Sequence, residues 1–237
     1  MAEPMFSNFV VEAHDIKESG RWAALNEHIE KMAAEPGEGN GWYVQIYAQL
    51  CAQVFAEYHS LKWVREEPQY GDVSLLAWRT RNLFELSIWA HYLAKGRKSA
   101  RRLYDDAGRD AHDLFATFEQ WGKRNAEAPD WLEQIASGKT ELMDRAAEDG
   151  VEGLDGRYMR VDAAAEECGL AGMYKVMSKL LSKFVHPTAL QILGISDEEQ
   201  VAGQRECFFG LGCLFFLEAF NALERVDIKD ITAKQSD

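Results

Sequence analysis

Apolar positions along this chain recur at steps of three and four, the spacing of one face of an α-helix. The clearest run is Trp42 to Arg65, where Tyr43, Ile46, Tyr47, Leu50, Val54, Phe55, Tyr58 and Leu61 form one stripe. It follows the Pro/Gly cluster Glu35 to Gly41, which predicts the strongest break in the chain. Ahead of that break, Phe6 to Glu18 and Arg21 to Ala34 read as two short helices parted by Ser19-Gly20. Behind it, Glu66 to Gly71 ends the long helix, and Asp72 is placed to cap the next. That next segment, Val73 to Lys95, is apolar on nearly every side, from Leu75, Leu76 and Trp78 through Leu83 and Phe84 to Tyr92 and Leu93. A helix apolar all round is normally surrounded by others, so it is expected at the centre of the fold.

More charged helices are predicted over Ser99 to Ala126 and Pro129 to Glu148, followed by a three-glycine turn region from Asp149 to Gly156. Helices at about Ala163 to Val185, with Gly169 and Gly172 as points of interruption, and at about Glu198 to Val226 complete the pattern. Alternating β-branched runs of strand length are nearly absent. The expected fold is therefore all-α, an antiparallel helical bundle joined by short connections. Residues 1–36 read as an N-terminal helical arm and 42–228 as the bundle domain.

Composition narrows the class. The chain has 237 residues, 47% of them hydrophobic and 11% aromatic, enough for a full core and unlike a disordered chain. The most apolar stretch, Cys207 to Leu217, ends at Glu218 and falls short of the roughly 20 residues of a membrane span, so it reads as a buried core helix. The start lacks the basic residues and apolar run of a signal peptide. The four cysteines lie far apart with no C-x-x-C pair, as expected of reduced thiols in a cytoplasmic protein without a membrane partner. Acidic residues number 39 and basic ones 26, a net charge of −13 that opposes broad duplex-DNA binding and leaves room only for a small basic groove.

Two constellations can carry chemistry. Arg81 and Glu85 lie four apart in the central helix, beside apolar Trp78, Ile88 and Tyr92. Burying such a pair is costly unless the charges meet each other or a third group. The structural reading is an intrahelical ion pair that specifies packing, with Arg79 pointing outward. The functional reading makes Glu85 a base or orienting group facing a cleft. The second constellation ends at His186-Pro187. There Met173, Met177, Leu180, Leu181 and Phe184 form the expected buried stripe, while Lys175, Lys179, Ser182 and His186 share the opposite side. Its structural reading is a solvated polar face with an imidazole at a helix C-terminus. His186 is also the best acid–base candidate in the chain, since imidazole titrates near neutrality.

The remaining histidines point less clearly. His14 and His28 lie in the arm, His59 near an exposed helix end, and His112 on a charged face. His91 reads either as a satisfied core histidine or as a group approaching the same cleft as Glu85. There is no H-E-x-x-H, Walker loop, dinucleotide fingerprint or G-x-S-x-G. No Glu precedes a His at di-iron spacing, so neither a metal nor another cofactor is expected. Gly210-Leu211-Gly212 falls in an apolar helix, where glycines permit close packing.

Arg81 and Glu85, followed by Lys179, Leu180, Leu181, Ser182, Phe184, Val185, His186 and Pro187, resemble a widespread bacterial family of uncharacterised all-helical proteins. The likeness extends over roughly Trp42 to Val226. The pattern is in turn similar to the HEPN superfamily, whose ribonucleases carry an arginine, four to six residues and a histidine, and dimerise so that two motifs face each other. That resemblance implies metal-independent RNA cleavage with His186 as the acid–base residue. It further implies Lys179 as the phosphate-charge residue and Ser182 as an aid in positioning the phosphate. The departure is Lys179 in place of arginine, which neutralises a phosphate as a point charge without the bidentate fork.

Two functions from different classes follow as expectations. The first is a homodimeric, metal-independent endoribonuclease of a toxin or phage-defence type, with Arg81 and Glu85 as a supporting network and Arg97, Lys98, Arg101 and Arg102 as the one dense basic cluster. Against that, the cluster also reads as the solvated start of a helix. The second is a non-catalytic helical module that binds a nucleotide, a small ligand or a protein partner, its polar motifs fused into one structural network. Small-molecule chemistry using Glu85 and His91 is a remoter third. An open setting for His186 favours the first, burial with a full set of hydrogen bonds the second.

Overall fold

A computed structural model of the chain describes residues 6–37, 39–67, 72–124, 129–186 and 197–226. Among the described residues there are nine α-helices and no strand. They are α1 (Ser7–Glu18), α2 (Arg21–Ala34), α3 (Gly41–Glu66), α4 (Val73–Leu93), α5 (Arg97–Arg124), α6 (Pro129–Glu148), α7 (Val161–Glu167), α8 (Ala171–Val185) and α9 (Glu198–Glu224). The helix boundaries follow local chemistry. Asp72 caps α4 by accepting a 2.9 Å bond from the Ser74 N–H. Gly169, at φ +74°, parts α7 from α8, so the single helix expected over Ala163 to Val185 is two. Gly172 stays within α8.

As its pattern requires, α4 is central, packed against α3, α5, α7, α8 and α9. Its most extensive neighbour is α9, whose glycines allow the approach. A Cβ on Gly212 would lie 2.4 Å from Leu61 Cδ2 and 3.2 Å from Thr80 Oγ1. Thr80 is itself buried in α4 and donates to the Phe208 carbonyl at 2.8 Å, so the two helices are joined by a hydrogen bond where they come closest. Around this seam, Tyr58 stacks on Phe216 at 3.9 Å, and Phe84 meets Phe215 at 4.8 Å. By length and composition α9 could cross a membrane, yet 67% of its most apolar window is buried inside the bundle.

The N-terminal helices pack on the same core. Ala13, Ile16, Leu25 and Met32 join one buried cluster with α3, α4 and α9, and Arg21 bonds Asn221 at 2.8 Å and pairs with Glu224. By contrast, α6 packs on α5 as a helical hairpin. Its buried Ile135 and Ala146 lie outside the main cluster, and Leu114, Phe118 and Trp121 of α5 stay exposed.

Three side chains depart from expectation. Arg79 does not point outward: it forms a two-pronged contact at 3.2 Å with Glu57 of α3 and lies 4.9 Å over the Trp78 ring. Trp78 is 45% exposed, with that guanidinium over its ring. Leu180 is also exposed, because the buried stripe of α8 runs through Leu181 instead.

Candidate functional site

The two sequence constellations meet in space. Within α4, one turn separates Arg81 from Glu85, and Arg81 Nε donates to Glu85 Oε1 at 2.9 Å. Helix α8 docks on this stretch of α4 through buried Leu181, partly buried Phe184 and Val185, and Tyr174, whose ring lies 6.0 Å from Phe84. At the end of α8 the chain turns extended at His186 (φ −101°, ψ 148°), whose backbone N–H donates to the Ser182 carbonyl at 3.3 Å. That turn carries the imidazole back over α4, where Arg81 Nη1 stands 3.3 Å from His186 Nε2.

The chemistry of the contact fixes its polarity. A guanidinium has donors only, so a hydrogen bond at this contact uses Nε2 as its acceptor. Glu85 supplies the counter-charge and holds the guanidinium plane from its Nε side. Arg81 and Glu85 are about a quarter to a third exposed (27% and 30%), and His186 is exposed. The three polar groups thus form a string at the surface with water on one side and the α4–α8 seam on the other. Tyr174 is beside them: burial raises its phenol above the ordinary value, Glu85 and Asp162 add to the effect, and Arg81 and Arg160 oppose it.

The other expected site residues fall elsewhere. Lys179 is exposed on α8 two turns before His186, and no hydrogen bond or ion pair joins it to Arg81, Glu85 or His186. Ser182 is half-buried one turn before His186, linked to it through the backbone bond above. His91 does not join Arg81 and Glu85. Six residues beyond Glu85 it emerges from another face of α4, where Nε2 lies 3.3 Å from Glu218 Oε2 on α9. A core reaction using Glu85 and His91 together therefore has no geometry to run on. Pro187 lies outside the described residues. Among the described residues no group of three or more His, Cys, Asp and Glu is placed to hold a metal ion.

Helical spacing correctly pairs Arg81 with Glu85 but proposes Lys179, on the same helix as His186, as the cation near the imidazole. The cation actually in contact is Arg81, 105 residues earlier in the chain. The available signal is energetic: a guanidinium in an apolar stripe calls for a further partner, which the buried-charge cost requires.

Comparison with known families gives one match. A family model described as a family of unknown function (DUF5677) matches residues 69–201, more than half of the chain, though less than the likeness read from the motifs. This span holds α4 to α8 entire, and with them Arg81, Glu85, His91, Lys179, Ser182 and His186. No curated protein and no solved structure matches.

Proposed function

The chain belongs to the DUF5677 family of unknown function, and within it we propose a HEPN-like, metal-independent endoribonuclease whose reacting pair is Arg81 and His186. The observation that carries this reading is the 3.3 Å contact between Arg81 Nη1 and an exposed His186 Nε2. It supplies a phosphate-charge group and a lone-pair-bearing base side by side, and in place of the single-point lysine it offers the forked cation suited to phosphate oxygens.

In the cleavage such a pair supports, a ribose 2′-hydroxyl attacks the adjacent phosphorus, and the bond from phosphorus to the next 5′-oxygen breaks. His186 Nε2 takes the 2′-hydroxyl proton as attack begins. Arg81, held by Glu85, leaves the imidazole for the phosphate and stabilises the charge gathering on its non-bridging oxygens. The leaving 5′-oxygen takes its proton from a second copy's His186 in its imidazolium form, in a homodimer whose two sites face each other, so one ring gains the proton that the other gives up. The products are a 2′,3′-cyclic phosphate and a 5′-hydroxyl. Ser182 helps seat the scissile phosphate, and Lys179 adds charge to a flanking one. In this reading the protein acts in the cytoplasm, as a toxin or defence effector.

The test is cleavage of varied RNAs by purified protein in EDTA. Wild type is expected to cleave. His186→Ala and Arg81→Ala each lower the rate by about 100-fold or more, the size expected for one acid–base or charge-stabilising group, with melting temperatures near wild type, and Lys179→Ala costs less. No cleavage of any RNA, cleavage abolished by EDTA, or a fully active His186→Ala variant would each sink the reading.

One observation favours the second reading, a non-catalytic module: Arg81, bonded to Glu85 within α4, already ties that helix to the end of α8 through its contact with His186. In that case His186→Ala lowers the melting temperature by several degrees and there is no activity to lose. The bundle then serves to bind a nucleotide, a small ligand or a protein partner.

A further inference from the structure

Away from Arg81 and His186, the first half of α5 lays a row of cations along a cleft of about 870 Å³. Arg97, Lys98, Arg101, Arg102 and Arg109 line it with Trp42 of α3, and among the described residues Asp105 is the one carboxylate in the lining. From Arg97 to Arg109 the helix rises about 18 Å, at 1.5 Å per residue, and the helical angles of these positions keep them on one side. Five positive charges along one cleft stand out in a chain whose net charge is −13. Two of them, Arg97 and Lys98, open the helix, where the backbone already presents its positive end. An anion in the cleft relieves that repulsion.

The cations are held in place for such a ligand. Arg97 donates to Asn40 Oδ1 at 2.5 Å and lies 5.1 Å from the centre of the Trp42 ring, with Arg101 at 5.2 Å from the same ring. Arg101 also pairs with Asp105 at 2.8 Å, Arg102 with Glu167 at 2.9 Å, and Arg109 with buried Asp106 at 2.7 Å. Arg101 further donates to the Asp149 carbonyl at 2.8 Å, and Arg109 to the Gly153 and Glu152 carbonyls at 3.1 and 2.9 Å. With five N–H donors on each guanidinium, these bonds fix the groups and still leave part of each fork for a phosphate. Lys98 is exposed and has no ion-pair partner among the described residues.

We propose that this cleft binds single-stranded nucleic acid through its phosphates and, resting on the ribonuclease reading, seats the strand to be cut. Length decides against a compact ligand: a stripe of about 18 Å far exceeds the reach of a diphosphate and suits phosphates spaced along a chain. Charge decides against a duplex, whose second strand would meet the acidic remainder of the surface. The aromatic ring set among cations is the combination that single-strand grooves use.

The experiment is fluorescence anisotropy of a labelled 2′-O-methyl oligonucleotide of about ten nucleotides, within the site sizes of single-strand grooves. Blocking the 2′-hydroxyl prevents cleavage, so binding is read on its own. Wild type is expected to bind at low salt, with affinity falling log-linearly as salt rises. Lys98→Ala lowers the slope of that plot by about 0.7, the share of one phosphate contact. Combining it with Arg97→Gln weakens binding about tenfold or more, each lost phosphate contact counting further against affinity at moderate salt, and melting temperatures check that both variants are folded. No binding at low salt overturns the proposal, as does binding indifferent to these substitutions. So does equal affinity for the duplex, or displacement by inorganic pyrophosphate as readily as by the strand. Binding by a protein that cuts no RNA keeps the cleft and removes the ribonuclease reading. Cleavage unaffected by the two substitutions removes the cleft and keeps that reading.

Discussion

Burial treats the four thiols unequally. Cys51 and Cys213 sit at 1% and 0% exposure in the core, and loss of hydration pushes each thiol up to about 12. Cys168 and Cys207 are only partly covered; their pKa values are also raised by burial, but each keeps a path to solvent. Because the thiolate is the nucleophile, timed alkylation at pH 8 followed by mass spectrometry should modify Cys168 and Cys207 first. Cys51 and Cys213, closed to solvent and with the higher pKa values, should lag far behind and catch up only in denaturant. Equal labelling of all four in the native protein would contradict the packing described. At this scale the sequence is half legible. Spacing shows that Arg81 meets Glu85, since both sit on one helix. It cannot show that Arg81 meets His186, which depends on how far α8 slides along α4 and on the extended turn that carries the ring back.

Helices are where sequence and structure agree best, because apolar periodicity and capping are local. Asp72 caps α4 as its position suggests, and Gly210-Leu211-Gly212 marks a close approach. The approach gives a paired test. Gly212→Ala puts a methyl where Leu61 and Thr80 already stand, and overpacking of this kind costs about 1–3 kcal/mol. Gly203, on the exposed start of the same α9, has open space around it, so Gly203→Ala should gain about 0.5–1 kcal/mol from helix propensity. Thermal melts of the two variants should move in opposite directions, and a shift of the same sign would discount the seam. Less legible was the break between α7 and α8. Either Gly169 or Gly172 could have made it, and only Gly169 takes the left-handed conformation.

For the molecule as a whole, the all-α architecture is readable because nearly every segment of the chain carries a helical stripe. Its pairing order is not, since α4 must choose among five neighbours. The buried acids of that shared core set how stability responds to alkali. Burial pushes Cys51 and Cys213 from the ordinary 9.0 up to about 12, and raises the Tyr47 and Tyr58 phenols above the ordinary 10.0. A group that ionises later in the folded chain stabilises it fully below the unfolded pKa, and the contribution is lost as pH rises through the folded one. Melting temperature should therefore hold to about pH 9 and fall steeply between about 9 and 12; a flat profile to pH 12 would refute the assignment of these groups to the core. The Arg81–His186 contact carries a different consequence, in time. Its partners are 105 residues apart, so at roughly 5–20 residues per second a ribosome releases Arg81 about 5–20 s before His186. Until then the guanidinium has Glu85 alone, and the pair does not exist. A chain that cuts RNA by this pair is harmless to its own message until most of it has been made.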